Sequence, residues 1–161
     1  MPISKVLVIG SNSFSGSNFV DVALKSNYEV VGVSRSKEPS TPFLPYKWSD
    51  NSFDIKIKKD HFSFYQIDLN KDLSKLLKII KLFEPSIIIN FASQGMVAES
   101  WKNPVHWYKT NIISQVALHD ELRKLSFLER YIHVTTPEVY GSTDSGFIKE
   151  GASFFPSTPY A

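Results

Sequence analysis

Five short apolar runs alternate along the chain with segments in which apolar residues recur every three or four positions. Runs of this length that are rich in β-branched residues predict strands. The fourth run, "SIIINF", is apolar without interruption, which is typical of a strand covered on both faces of its sheet. The predicted strands span residues 5–10, 28–34, 62–68, 86–91 and 131–136.

The segments between these runs predict helices. One extends from Phe14 to Ser26, and a second is capped by Asn70. A third begins at Asn103-Pro104, because asparagine caps helices and proline is favoured in their first turn, and it extends to about Leu125. In the second helix, the apolar residues that follow helical spacing are Leu73, Leu76, Leu77, Ile80 and Phe83. In the third helix, the residues expected to face the core are Val105, Tyr108, Ile112, Val116 and Leu122.

Strands that alternate with helices indicate parallel pairing through right-handed crossovers. We therefore predict an α/β fold with a doubly wound, Rossmann-like parallel sheet in the order 3-2-1-4-5, truncated before its last strands. Residues 36–61 interrupt the alternation with three prolines and many polar side chains. A connection of this length predicts either a functional excursion or a mobile loop.

Composition narrows the classes of function. The 161 residues carry a net charge of +2 and no cysteine, so charge alone gives no reason to expect nucleic acid, and cysteine-bound metals and disulfides are excluded. We expect no metal site. No apolar stretch is long enough for a signal peptide or a membrane span, and we expect a cytoplasmic protein without a membrane partner.

The turn after the first strand reads "GSNSFSG", residues 10–16. Backbone N–H groups in such a turn, together with the N-terminus of the following helix, can hold a pyrophosphate. Gly16 lets helix and strand pack closely. An ordinary strand–helix turn with two glycines is the alternative. We predict a dinucleotide-binding loop composed of Gly10, Ser13, Phe14, Ser15 and Gly16.

The same loop resembles the GxxGxxG loop of the extended short-chain dehydrogenases/reductases, the nucleotide-sugar epimerases and dehydratases. Ser13 stands where this family has its middle glycine. A β-carbon there is expected to push the pyrophosphate away or to change the geometry of the loop. The resemblance implies a cofactor of the NAD(P) type and a nucleotide-sugar substrate.

The second strand ends in Ser34 and Arg35, where many dinucleotide folds carry an acid for the ribose hydroxyls. A carboxylate would repel a 2′-phosphate, whereas a guanidinium can pair with it. We therefore predict NADP, with NAD as the second possibility. A solvated arginine on a loop is the alternative reading of Arg35.

Further cofactor contacts follow from the family resemblance. Asp68 and Leu69 resemble the pair that holds the adenine, although Asp68 alone would be read as a helix cap. The segment "NFAS" resembles the part beside the ribose and pyrophosphate, and Asn111 matches an asparagine that ties neighbouring strands. These matches add Phe91, Ala92, Ser93 and Asn111 to the cofactor site and Gln94 to the substrate site.

The resemblance also implies the catalytic residues. In the family, a serine or threonine at the end of the fifth strand and a later tyrosine share one substrate oxygen, and Thr136 and Tyr160 match them. A tyrosine acts as a base when nearby positive charge lowers its pKa. Glu138 matches the glutamate that removes the C5 proton in 4,6-dehydratases, but Pro137 replaces the aspartate that protonates the departing hydroxyl in the dTDP-glucose enzymes.

The chain ends in "PSTPYA", where Ser157, Thr158 and Pro159 are typical of a helix start. This ending resembles the beginning of PSxPYxxSK. We expect residues 1–161 to form an incomplete NAD(P)-binding domain that lacks the catalytic lysine and the substrate-binding part. The fragment alone is expected to be inactive, and the full-length protein is expected to be a homodimer.

Three functions remain open at this point. The first is a 4,6-dehydratase-like enzyme that works through an NAD(P)-dependent 4-keto intermediate. The second is a 4-epimerase or decarboxylase on the same scaffold. The third is a non-catalytic dinucleotide-binding module, favoured by Ser13, by Pro137 and by the missing lysine.

Overall fold

A computed structural model describes residues 4–48, 60–142 and 146–161. Its sheet contains five parallel strands in the order β3-β2-β1-β4-β5, which confirms the predicted fold class and strand order. The third and fifth strands end two and three residues earlier than predicted. The strands are β1 (Lys5–Ile9), β2 (Glu29–Ser34), β3 (Phe62–Gln66), β4 (Ile87–Asn90) and β5 (Arg130–His133).

Helices α1 (Phe14–Lys25) and α2 (Leu73–Phe83) follow β1 and β3. The predicted cap of α2 is wrong: the capping position is Asp72, whose side chain makes no capping bond. Asn70 lies outside the helix because its amide is used elsewhere. Its Nδ2 donates to Thr110 Oγ1 at 3.0 Å, and its Oδ1 accepts from Ser114 Oγ at 2.6 Å.

The predicted third helix is interrupted. After a short helix α3 (Val97–Lys102), the chain forms α4 (Pro104–Tyr108), a π-helical turn (Lys109–Ile113) and α5 (Ser114–Leu122). A π turn adds a residue to the helical repeat, so the apolar spacing read across it does not stay on one face.

The predicted inward face of this helical segment is therefore mostly wrong. Leu122 is buried as expected, but Val105, Tyr108, Ile112 and Val116 are exposed. The buried positions are instead Trp107, Ser114, Gln115, Leu118 and Leu122. Two of these are polar, and hydrogen bonds to distant side chains allow their burial.

Each face of the sheet carries a hydrophobic cluster, which explains the uninterrupted apolar sequence of β4. The cluster under α2 and α5 includes Leu7, Leu76, Ile80, Ile88 and Leu118. The cluster under α1 includes Val6, Val20, Leu24, Leu44 and Tyr46. The sheet is thus held from both sides, and the carboxyl ends of β1, β2, β4 and β5 meet along one edge.

The segment after β2 is packed as far as the structure describes it. Two 3₁₀ turns, Thr41–Phe43 and Pro45–Lys47, follow one another, and Leu44 and Tyr46 are buried against the α1 cluster. The rest of the predicted excursion, residues 49–59, lies outside the described residues. No helix in the described ranges is long and apolar enough to cross a bilayer.

Candidate functional site

The turn between β1 and α1 is ordered by Ser13. This residue is the N-cap of α1, with φ −71°, so it needs no positive φ. Its Oγ donates to the carbonyl of Gly10 at 2.8 Å and accepts from the N–H of Gly16 at 3.0 Å. The serine in place of the family's glycine therefore folds into the loop and caps the helix.

The two glycines of this turn are required by close approach. Gly10 has φ +83°, and a β-carbon there would lie 2.8 Å from the N of Ala92 in the chain after β4. A β-carbon on Gly16 would overlap the carbonyl oxygen of Gly10. The close approach of Gly10 to Ala92 joins the turn to the chain after β4, so these two segments are positioned together.

Two backbone N–H groups at the start of α1 are available to an anion. Within the described ranges, the N–H groups of Phe14 and Ser15 have no hydrogen-bond acceptor, whereas Gly16 N–H is used by Ser13. The Phe14 side chain is 87% exposed and carries no hydrogen-bond donor, so this residue can bind an anion only through its backbone N–H. A pyrophosphate group fits this end of the helix, and the donors left for it are those of residues 14 and 15.

A cavity of about 310 Å³ runs from this turn across the carboxyl ends of β2, β3 and β4. It brings together most of the predicted cofactor residues, and six further residues that were not predicted as site residues also line it. The predicted residues are Gly10, Ser13, Ser34, Arg35, Asp68, Leu69, Phe91, Ala92 and Ser93, together with Gln94. The additional residues are Ile9, Asn12, Ser36, Ile67, Asn70 and Thr110.

At the β2 end of this cavity, Ser34 is buried and Arg35 is exposed. Ser34 Oγ accepts a hydrogen bond from the backbone N–H of Asn12 at 2.9 Å, so this hydroxyl holds the backbone of the turn between β1 and α1. The Arg35 side chain forms no ion pair within the described part of the chain. The guanidinium is therefore the charged group available at this end.

Asp68 acts partly as a turn residue. Its Oδ1 accepts from the N–H of Asn70 at 2.9 Å, and its own N–H donates to Asp72 Oδ2 at 3.1 Å. Asp68 also lines the cavity of about 310 Å³, which we call the dinucleotide cavity after the ligand predicted for it. This residue thus shapes the turn after β3 and borders the cavity at the same time.

A second cavity, of about 360 Å³, adjoins the first because Ala92 and Ser93 line both. Thr136 and Tyr160 both line it, so the structure brings the predicted catalytic pair into one space. Thr158 Oγ1 accepts from the N–H of Ala161 at 3.1 Å, as an N-cap side chain does. Residues 157–161 nevertheless form no helix, so the helix start read from "PSTPYA" stays a prediction.

Glu138 does not line this cavity. It lies in a 3₁₀ turn, Pro137–Tyr140, and its backbone N–H donates to Thr136 Oγ1 at 3.3 Å. This bond uses one lone pair of the threonine hydroxyl, and its proton remains available to a ligand.

Asn111, in the π turn, holds the chain that follows β4. Its Oδ1 accepts from the N–H of Gln94 at 2.7 Å, and its Nδ2 donates to the carbonyl of Gln94 at 3.1 Å. It therefore ties a helix to a loop, whereas the resemblance predicted a tie between strands. Because Gln94 lines the dinucleotide cavity and Asn111 the second one, this pair connects the two spaces.

A buried network of polar side chains lies next to Ala92, one of the two residues that line both cavities. Asn90 is fully buried; its Nδ2 donates to Gln115 Oε1 at 2.7 Å and to Tyr131 OH at 2.9 Å, and its Oδ1 accepts from Ala92 N at 2.8 Å. Burial raises the pKa of Tyr131, a shift that the bond from Asn90 opposes. Burial, with a smaller effect of His119, lowers the pKa of His133.

His133 and Trp107, which line the second cavity, were not anticipated. Their positions follow from packing between β5 and the helical segment, and no local sequence pattern predicts that they line a cavity. Asn12 was within reach of sequence reasoning, because it stands inside the glycine loop. Across the described ranges, no group of three or more histidine, aspartate or glutamate side chains is placed to bind a metal.

The family profile described as GDP-mannose 4,6 dehydratase matches residues 7–161. A GDP-mannose 4,6-dehydratase of Yersinia enterocolitica is 27% identical over 161 residues, covering 99% of this chain and 42% of the relative.

Among solved structures, a UDP-glucose 4-epimerase of Thermotoga maritima with UDP-glucose has a TM-score of 0.77 at 26% identity, covering 97% of this chain and 46% of its own. The epimerase of Stenotrophomonas maltophila with bound NAD has a TM-score of 0.80 at 22% identity, covering 98% and 44%, and shows the fold alone. The chain therefore spans less than half the length of the proteins it matches.

Proposed function

The chain belongs to the GDP-mannose 4,6 dehydratase family, and from this membership we propose that it is the dinucleotide-binding part of a nucleotide-sugar 4,6-dehydratase. The observation that carries the proposal is that two neighbouring cavities share Ala92 and Ser93 in their lining. The phosphate loop opens into one cavity, and Thr136 and Tyr160 line the other. A dinucleotide along the first cavity would extend its reactive ring toward the second.

The cofactor proposed is NADP, a nicotinamide dinucleotide that would supply a reversible hydride acceptor for the sugar. Arg35 supports NADP over NAD, because its guanidinium, which forms no ion pair within the described residues, can form paired bonds to a 2′-phosphate. The N–H groups of Phe14 and Ser15 would hold the pyrophosphate, with Asp68 and Leu69 beside the adenine.

The chain's own residues would handle the protons. Tyr160 takes the proton of the C4 hydroxyl, and Thr136 orients that hydroxyl with its remaining O–H. The C4 ketone would make the C5 hydrogen acidic, and Glu138 would accept that proton. The C6 hydroxyl would take a proton from solvent and leave as water, and C5 would regain a proton as C6 is reduced. Pro137 has no proton to give to the departing group, so an aspartate-dependent version of this step is not available here.

The domain assignment is also part of the proposal. Residues 1–161 would form the dinucleotide-binding half of the protein, with the contacts that select the nucleotide and the sugar located outside them. This arrangement agrees with the 42% of the Yersinia relative that the chain covers. We also propose that the full-length protein is a homodimer, because proteins of this family often form dimers.

The test is to incubate the full-length protein with NADP and, separately, GDP-mannose, dTDP-glucose and UDP-glucose. We expect a 4-keto-6-deoxy sugar from at least one of them, identified by NMR. Tyr160→Phe should lower kcat by about 10²- to 10⁴-fold without changing the Kd for the dinucleotide. Tyr140→Phe is the matched control, because Tyr140 packs on Phe154 and does not line the second cavity.

A second candidate is a 4-epimerase, favoured by Pro137 and by the position of Glu138 outside the cavity lining. Glu138→Gln separates the two, because it should stop elimination and leave C4 inversion intact. A C4-inverted sugar in place of the deoxy product would reject the dehydratase. Tight dinucleotide binding without conversion of any sugar would instead indicate a non-catalytic module.

A further inference from the structure

We propose that Asn12 and Gln66 are positioning residues that set the preference for NADP over NAD. They do so by holding the backbone of residues 35–37 through its carbonyl oxygens. This inference rests on the dinucleotide-binding function proposed above, but it concerns residues to which no role has been given so far. Asn12 comes from the phosphate loop and Gln66 from the end of β3, so two separate elements hold this segment.

The contacts follow one another along the chain. Gln66 Nε2 donates to the carbonyl of Arg35 at 3.0 Å. Asn12 Nδ2 donates to the carbonyl of Ser36 at 3.1 Å and to that of Lys37 at 3.0 Å. Three successive peptide carbonyls are thus engaged by side-chain amides, and their negative ends are directed at these donors.

The opposite ends of these peptide groups remain available. Within the described residues, no acceptor is bonded to the backbone N–H groups of Ser36 or Lys37. Arg35 and Ser36 line the dinucleotide cavity, and the Arg35 side chain is exposed. Free N–H groups next to a guanidinium form the kind of concave donor set that binds phosphate.

The nearby carboxylate is prevented from neutralising this set. Glu38 accepts from Tyr46 OH at 2.7 Å and from Lys47 Nζ at 2.7 Å, and Tyr46 is buried against the α1 cluster. Glu38 is therefore held toward the 3₁₀ turns that follow it. Arg35 keeps its positive charge for a ligand because its nearest acidic neighbour along the chain is paired elsewhere.

Such a segment favours the cofactor that carries an extra phosphate. If the three carbonyls were free, the segment would lose its order, and the cofactor would have to supply the ordering free energy on binding. A 2′-phosphate gains from the preset geometry, whereas NAD has only a neutral 2′-hydroxyl there, which gains little from donors arranged for an anion. Removing the amide donors should therefore weaken NADP and leave NAD almost unchanged.

The experiment measures Kd for NADP and for NAD with the full-length protein, for wild type, Asn12→Ala and Gln66→Ala. We expect the NADP/NAD preference to fall about tenfold in Asn12→Ala, which loses two bonds, and about threefold in Gln66→Ala, which loses one. Gln66 lies outside the phosphate loop, so its variant separates selectivity from any change in pyrophosphate binding. Asn18→Ala is the matched control, because Asn18 Nδ2 donates to the carbonyl of Phe14 and touches no part of residues 35–37.

A pH series provides a readout that a general loss of stability would not change. A phosphate monoester loses its second proton near pH 6, so wild-type affinity for NADP should rise across that range. The rise should be smaller in both variants and unchanged in Asn18→Ala. Thermal unfolding of each variant, measured in parallel, shows whether it is folded.

Equal loss of NADP and NAD affinity in folded Gln66→Ala would overturn the inference, and so would an unchanged preference in both variants. A wild-type preference for NAD would also overturn it. The proposed enzyme survives these results if sugars are converted with either dinucleotide. Failure of the wild type to bind any dinucleotide would reject both proposals together.

Discussion

Asn90→Ala should destabilise the protein strongly, because this side chain is fully buried and makes three hydrogen bonds. The substitution removes all three bonds and leaves Gln115 Oε1, Tyr131 OH and the Ala92 N–H without their Asn90 partner. A buried hydrogen bond contributes about 1 kcal/mol net, so the expected loss is about 3 kcal/mol of unfolding free energy. That is a large share of the roughly 5–15 kcal/mol typical of folded proteins.

The free energy of unfolding is measured by urea titration of the full-length protein. A double-mutant cycle with Gln115→Ala isolates the bond between Asn90 and Gln115, for which we expect a coupling of about 1 kcal/mol. Asn18→Ala, on the exposed face of α1, should change stability by no more than about 0.5 kcal/mol.

The same substitution should also weaken dinucleotide binding, because Asn90 Oδ1 holds the N–H of Ala92 and Ala92 lines both cavities. A loss below about 0.5 kcal/mol for Asn90→Ala, with no coupling to Gln115, would refute the reasoning. It would mean that water or a rearranged amide replaces these bonds at no cost.

Two further outcomes follow from the same structure. Gly16→Ala should raise the Kd for the dinucleotide about tenfold or more, because its β-carbon would overlap the Gly10 carbonyl. Titration calorimetry measures this Kd, and Gly95→Ala, whose added carbon has nothing within 4 Å, should leave it unchanged. The folded state lowers the pKa of His133 below 6.5, so the unfolded chain binds more protons and stability should fall as pH drops below about 6.5. Urea midpoints against pH should show a shallower fall in His133→Gln, and an identical profile would contradict this assignment.

Much of the fold could be predicted because its signals are local. The five apolar runs, the glycines at positions 10 and 16 and the proline at 104 each act on their immediate neighbours in the chain. The structure confirms the strands, their order and the start of the third helical segment. The inward face of that segment was predicted wrongly, because the hydropathy pattern treats Ser114 and Gln115 as surface residues.

The candidate site was predictable only in part. The phosphate loop and the pair Thr136 and Tyr160 were found from short motifs, and the structure places that pair in one cavity. Thr110 and Asn70 reach the dinucleotide cavity from segments 40 residues apart, and they bond to each other there. No motif records such a meeting, since it depends on how α2, β3 and the π turn pack.

The sequence by itself thus determined the order of elements, the parallel sheet and the place of the phosphate turn, since periodicity and glycine conformation act over a few residues. The tertiary structure decided which polar side chains meet distant backbone groups: Asn90, which is buried, holds Ala92, and the more exposed Asn12 and Gln66 hold residues 35–37. The physical reason is that burying a polar group costs free energy which a hydrogen bond offsets, and these partners lie up to 41 residues away along the chain, beyond the reach of any local pattern.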